Sequence, residues 1–233
     1  MNSPNAEYIK NLFGSISGTY DRANDVITLG LVRLWRKKLV QISGVKTGQS
    51  VLDCATGTGD LALEFKKVVG ESGRVVGTDF CEEMLALAPE KAKRQGLDVT
   101  FAVADVLALP YADKEFAVTS IAYGIRNVSD PILALREMAR VTKSGGAVMI
   151  LETGESKTPV INKFINLYFS QVVPRLGGLV SGKRSAYNYL QNSSRTFPSG
   201  DEFLTLMRST GAYSHCECHT LMGGASYIYK GTP

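Results

Sequence analysis

The chain predicts an α/β fold: one mostly parallel, seven-stranded sheet with helices on both faces and an antiparallel C-terminal edge. Three observations carry this. Short apolar runs alternate with helical patterns from Ser50 to Thr153. The first two runs end in aspartates, Asp53 and Asp79, and a glycine turn, Gly57-Thr58-Gly59, joins the first run to its helix. Two strand-like runs, Tyr213–Thr220 and Ala225–Lys230, close the chain as the antiparallel edge.

A chain of 233 residues suits one domain with a full core, and 44% hydrophobic with 21% charged residues is ordinary for a soluble globule. The net charge of +4 permits contact with an anionic surface without demanding nucleic acid. No run is long enough to cross a bilayer, and no leading segment resembles a signal peptide. Cys54, Cys81, Cys216 and Cys218 form no disulfide framework, which points to a reducing cytoplasm.

Residues 1–49 read as a helical cap. A short helix is expected around Glu7–Phe13 and a joint at Gly14–Gly18; a second helix covers Leu29–Ile42, with Leu31, Leu34, Trp35, Leu39 and Ile42 on one face. That helix is either packed on the core with a solvated basic face or a Trp-bearing edge resting on a membrane surface. Residues 50–156 read as the binding core. Helix Leu61–Val69, strand Arg74–Asp79, helix Glu82–Gln95, strands Val99–Val103 and Phe116–Ala122, helix Pro131–Thr142 and strand Ala147–Thr153 follow the first strand, with Gly145-Gly146 as the turn into the last. Between 157 and 200 the alternation stops. The stretch is apolar and Gly-jointed, and is read as a lid over the site or a dimer contact. Residues 201–233, helix Asp201–Thr210 and the two edge strands, complete the same single domain.

Ligands in such sheets sit beyond the carboxyl ends of the strands, where Asp53, Asp79 and Asp105 fall. Gly57 and Gly59 are expected to let the backbone close over a small molecule. Asp79 suits a ribose diol and Asp105 an adenine amino group. The glycine turn also fits a dinucleotide fingerprint with Ala62 third, but charge argues against that reading. Asp53 and Asp60 flank the turn; they repel a pyrophosphate and attract the ammonium and sulfonium of S-adenosyl-L-methionine. His215-Cys216-Glu217-Cys218-His219 looks like a metal cluster, yet alternation on a strand points His215, Glu217 and His219 away from the cysteines, so no metal site is assigned.

Four motifs carry a resemblance that runs nearly end to end. They are Tyr20-Asp21-Arg22-Ala23-Asn24-Asp25 with Gly30, Arg33 and Trp35; Asp53-Cys54-Ala55-Thr56-Gly57-Thr58-Gly59-Asp60; Gly124-Ile125-Arg126-Asn127-Val128-Ser129-Asp130; and Tyr187-Asn188-Tyr189-Leu190 with Ser193, Phe197 and Pro198. With these the chain resembles the class I S-adenosylmethionine-dependent methyltransferases, and among them the ubiquinone/menaquinone-biosynthesis C-methyltransferases. The resemblance implies a Rossmann-like fold and methyl transfer to a ring carbon of a prenylated quinol. It implies donor contacts at Thr58, Asp79, Asp105 and Val106, with Ala122 contributing backbone where the family often has serine. Val32 and Tyr229 stand where the family commonly has histidine.

An electron-rich ring carbon requires loss of a ring hydroxyl proton. Arg126 is the expected partner of that oxyanion, with Asn127 orienting it or a water, although the pair also suits capping of the helix at Pro131. Tyr20 and Tyr187 are the expected acceptor contacts. The expected partners are the prenylated quinol, a peripheral membrane surface and a second copy as homodimer, with no nucleic acid. Two alternatives stay open: a methyltransferase of another small phenol, and a non-catalytic quinone- or lipid-binding module.

Overall fold

The computed structural model describes residues 5–155, Tyr168 and 183–233, apart from the side chains of Arg184, Ser185, Tyr187 and Gln191. Most of the proposed lid, 157–167 and 169–182, lies outside the described residues, as does the Tyr187 side chain.

Seven strands form one sheet: β1 (Ser50–Cys54), β2 (Arg74–Asp79), β3 (Thr100–Val103), β4 (Phe116–Ala122), β5 (Thr142–Thr153), β6 (His215–Leu221) and β7 (Ser226–Thr232). Their order is β3-β2-β1-β4-β5-β7-β6. The first five run parallel, and β7 pairs antiparallel with both β5 and β6. Strand order therefore reverses between β1 and β4, which opens a crevice at their carboxyl ends.

Side-chain alternation divides the core in two. Leu52, Cys54 and Ile121 face Leu135 and Met138 of α7 (Pro131–Val141) and Phe203 and Met207 of α9 (Asp201–Ser209). Val51, Met149 and Ile228 face Leu39 of α3 (Leu31–Ser43) and Leu61 and Phe65 of α4 (Asp60–Val69). Asp130 caps α7 by accepting from the Leu133 amide at 3.0 Å, with Pro131 preset for the first turn. Capping therefore falls to Asp130 and not to Arg126 or Asn127.

Several boundaries differ from expectation. The helix expected over Glu82–Gln95 is two, α5 (Glu82–Leu85) and α6 (Ala88–Arg94). Pro89 lacks an N–H and its ring crowds the carbonyl four residues back, so a continuous helix breaks there. Gly145-Gly146 lies inside β5 as a bulge, where the pairing with β4 shifts between Phe116 and Val118. The cap holds three helices: α1 (Ala6–Gly14), α2 (Ser17–Ile27) and α3. The unforeseen α2 buries only Ala23 and Ile27, too little for a visible hydrophobic stripe. Along α3 the buried residues are Val32, Leu39, Val40 and Ser43; Leu34 points outward at 60% exposure. Trp35 packs against the core, so it is no surface anchor. The helix α8 (Arg184–Thr196) joins the cap through Ala186 and Leu190, which pack with Ile16, Ala23 and Ile27. Among the described residues no helix is long and apolar enough to cross a membrane.

Candidate active site

The strand ends converge on a crevice of about 1040 Å³ including its open mouth. Asp53, Asp79 and Asp105 all line it, as do Gly57, Thr58, Val106, Ala122 and Asn127. Its cover comes from the N-terminal helices: Ala6, Ile9 and Phe13 of α1, Tyr20 of α2 and Arg36 of α3.

Asp53, at the end of β1, is 1% exposed and accepts from Ser120 Oγ at 2.6 Å and Thr56 Oγ1 at 2.7 Å. Burial pushes its carboxyl up to about 6, against the pull of those two hydroxyls and of Arg36. Asp79 accepts from the Gly57 amide at 2.7 Å and the Cys81 amide at 2.8 Å. Its pKa is also raised by burial, with the backbone amides opposing. The exposed Asp105 accepts from the Leu107 amide at 2.9 Å.

Gly57 has φ +57°, a conformation that favours glycine, and a Cβ there would meet Met84 Cε at 3.3 Å. Gly59 behaves differently from expectation. It does not line the crevice; a Cβ there would lie 3.0 Å from Ala88 and from the Phe101 ring. It is small so that α4 and its neighbours pack, not so that a ligand fits.

The flanking charges also need correction. Asp60 pairs with Arg36 at 2.6 Å and Lys91 at 2.7 Å, so its charge is neutralised locally and does not face a ligand alone. Burial alone would raise its pKa, but those two cations hold it below the usual carboxylate range. Thr58 donates to Asp21 at 2.6 Å and accepts from Lys91 at 2.8 Å, so its hydroxyl ties the turn to the cap. Sequence reasoning missed Lys91; no spacing rule links position 91 to positions 21 and 60.

A second cavity, about 680 Å³ with its mouth, shares Tyr20 and Tyr123 with the first. Ile27, Val32, Trp35, Leu190 and Ala225 give it apolar walls. Arg126 lines this cavity, not the crevice. Its guanidinium is buried and ion-paired with Glu152, with Nε 3.4 Å from Ser193 Oγ. Asn127 does not orient it: the Asn127 amide accepts from Tyr189 at 3.1 Å and donates to the Tyr123 carbonyl at 3.4 Å. The expected oxyanion partner is thus half of a buried pair. Tyr20 stands between the two cavities with its phenol pKa raised by burial, so it is a donor at neutral pH. Tyr229 sits in neither cavity; its hydroxyl accepts from the Gly200 amide at 2.7 Å, a structural role.

Residues 1–232 match the ubiE/COQ5 methyltransferase family. The chain is 57% identical over 230 residues to the ubiquinone/menaquinone biosynthesis C-methyltransferase UbiE of Bdellovibrio bacteriovorus, covering 99% of this chain and 97% of that protein. It is 37% identical over 228 residues to the protein of the same name from Escherichia coli O1:K1 / APEC, covering 97% and 90%. Among solved structures, a SAM-dependent methyltransferase from Thermotoga maritima superposes with a TM-score of 0.66 at 18% identity, covering 95% of this chain and 98% of that one. The [4+2]-cyclase SpnF matches at TM-score 0.66 and 13% identity, covering 100% and 98%, so the fold by itself does not choose a reaction. Family follows from the end-to-end sequence match, and the crevice agrees with it: this chain belongs to the ubiE/COQ5 methyltransferase family.

Proposed function

We propose that the protein transfers a methyl group from S-adenosyl-L-methionine to a ring carbon of a prenylated quinol, either demethylmenaquinol or the benzoquinol intermediate of ubiquinone synthesis. The observation that carries this reading is the pair of adjoining cavities, one acidic at the strand ends and one apolar with a polar end, sharing Tyr20 and Tyr123. When bound, the donor supplies an electrophilic methyl group. The chain's residues fit that molecule. The Gly57 turn and Asp79 leave room and an acceptor for a ribose diol. Asp105 and the buried Val106 suit an adenine edge and face, and the anionic form of Asp53 suits an ammonium.

Moving a phenolic proton at pH 7 costs about 4 kcal/mol from an ordinary pKa near 10. Tyr20 supplies a hydrogen bond where the two cavities meet, Asn127 lines the crevice, and Arg126, paired with Glu152, lines the second cavity, whose apolar walls keep water from weakening these contacts. Residues 1–49 act as the cap and 50–155 with 201–233 as the core.

The enzyme works in the cytoplasm and touches the membrane that holds its acceptor. Leu29 is 79% exposed and Leu34 60%, beside exposed Arg33, Lys37 and Lys38. Co-sedimentation with anionic vesicles is expected for the natural chain and a severalfold loss for Leu29→Asp; equal sedimentation would remove this contact. Methyl transfer itself is tested with labelled donor against short-chain naphthohydroquinone and benzohydroquinone. Product carrying the label on a ring carbon is expected, and label on neither acceptor would overturn the reading.

A further inference from the structure

Four buried side-chain polar atoms have no hydrogen-bond partner among the described residues, and three of them gather at one place: the Tyr123 hydroxyl, Glu152 Oε2 and Ser226 Oγ. Native interiors hold few such atoms, so a cluster calls for a cause. Tyr123 and Ser226 line the second cavity. Glu152 lies against it, because its other oxygen is held by Arg126 and Thr153, and both of these are lining residues. Across β5 and β7, Ser226 pairs with Thr153, whose hydroxyl holds the Glu152 carboxylate at 3.1 Å, and the Tyr123 amide donates to the Leu151 carbonyl of β5 at 2.7 Å. The Tyr123 hydroxyl lies beside Ser226 without reaching hydrogen-bond geometry. Glu152 is 1% exposed and Ser226 fully buried, so bulk water does not serve them.

We infer that this cluster receives the oxygen of a 1,4-dihydroxyaromatic ring, with the Tyr123 and Ser226 hydroxyls holding it and Glu152 accepting its proton. The inference rests on the methyl-transfer reading and names the group that makes the acceptor reactive. Burial raises the Tyr123 pKa, so Tyr123 remains protonated and donates. Arg126 then acts through Glu152. Paired to one carboxylate oxygen, it holds the carboxylate in place while the other oxygen has no hydrogen-bond partner among the described residues.

The proton balance closes without any further reagent. The ring O–H breaks, its proton goes to Glu152, and the electron pair left on oxygen makes the ring carbon nucleophilic toward the methyl group. As the carbon–carbon bond forms, the methyl–sulfur bond of the donor breaks and its electron pair stays on sulfur, which leaves as a neutral thioether; the ring carbon still bears a hydrogen. Its proton is released to solvent, and the ring oxygen recovers a proton from Glu152 as aromaticity returns. One proton leaves per turnover, and Glu152 ends as it began.

The test uses the full chain with short-chain hydroquinone as acceptor. Tyr123→Phe and Ser226→Ala remove atoms that have no hydrogen-bond partner among the described residues. Both are expected to melt at the wild-type temperature or above, bind the donor as wild type does, and raise the acceptor KM roughly tenfold. Glu152→Gln is expected to lower kcat at pH 7 by about 10²- to 10⁴-fold with donor affinity unchanged. Its rate should recover toward pH 9–10, where the ring hydroxyl ionises unaided. Calorimetry with a ring-methylated, non-reacting hydroquinone reads acceptor affinity apart from turnover, and should show the same tenfold weakening in the first two variants. If wild type turns over while those two bind this analogue within twofold of it, the inference is wrong, whether or not Glu152→Gln folds. A Glu152→Gln protein with wild-type kcat would overturn the proton role. A wild type that methylates no hydroquinone would bring down the parent reading as well.

Discussion

Asp53 is buried at a free-energy cost that the fold carries. Its carboxyl is raised by burial to about 6, while an unfolded chain returns it to an ordinary value near 4. The folded pKa lies above the unfolded one, so the folded state holds the proton more tightly. The resulting stabilisation is complete below about pH 4 and is lost as pH rises through about 6. Above that pH the ionised carboxylate destabilises the donor-free protein by up to about 3 kcal/mol, at 1.36 kcal/mol per pKa unit. Asp53→Asn is therefore expected to melt higher than wild type at pH 8, with the gap closing toward pH 4; a gap independent of pH would contradict this. Asp53, Asp79 and Asp105 were legible as crevice-lining residues because Asp53 and Asp79 lie at the ends of their strands and Asp105 follows β3 by two residues. Glu152 was not, because its meaning depends on the antiparallel partner β7 and on Arg126, both remote in sequence. Gly59 was legible as a glycine but for the wrong reason, since only the packed Phe101 and Ala88 reveal what a side chain there would hit.

At the scale of elements, one lysine binds the cap to the core. Lys91 of α6 reaches Asp21 of α2 at 2.6 Å, Asp60 of α4 at 2.7 Å and Thr58 of the glycine turn at 2.8 Å. Arg36 of α3 joins through Asp60. These groups are partly exposed, so solvent screening reduces the interaction to about 1–2 kcal/mol. That is enough to loosen helices that cover the crevice without unfolding the sheet. Lys91→Met is expected to leave Asp21 and Asp60 without their shared cation. Donor affinity should then fall about fivefold to twentyfold, and limited proteolysis within residues 15–45 should speed up while the core melts within a few degrees of wild type. Unchanged affinity and protection would show that the cap is held by packing alone. The strands and their order could be read from alternation and aspartate placement, whereas α2 could not, because it buries two small contacts and is stabilised by tertiary charge pairs.

On the scale of the whole molecule, the parallel order β3-β2-β1-β4-β5 sets the switch point, and the antiparallel β7 inserted beside β5 sets the second cavity next to it. The sheet's topology thus places an acidic crevice and an apolar chamber side by side, separated by Tyr20 and Tyr123. The central claim is electrostatic: the crevice selects a cationic methyl donor over an anionic dinucleotide. With Asp60 neutralised by Arg36 and Lys91, that selection falls chiefly on Asp53. The most direct test is calorimetric titration of the full chain with S-adenosyl-L-methionine and with NAD, for wild type and Asp53→Asn at pH 7.5. The predicted result is one donor molecule bound per chain, at least tenfold weaker binding in the variant, and no binding of NAD. Tight binding of NAD, or a variant that holds the donor as firmly as wild type, would contradict the account.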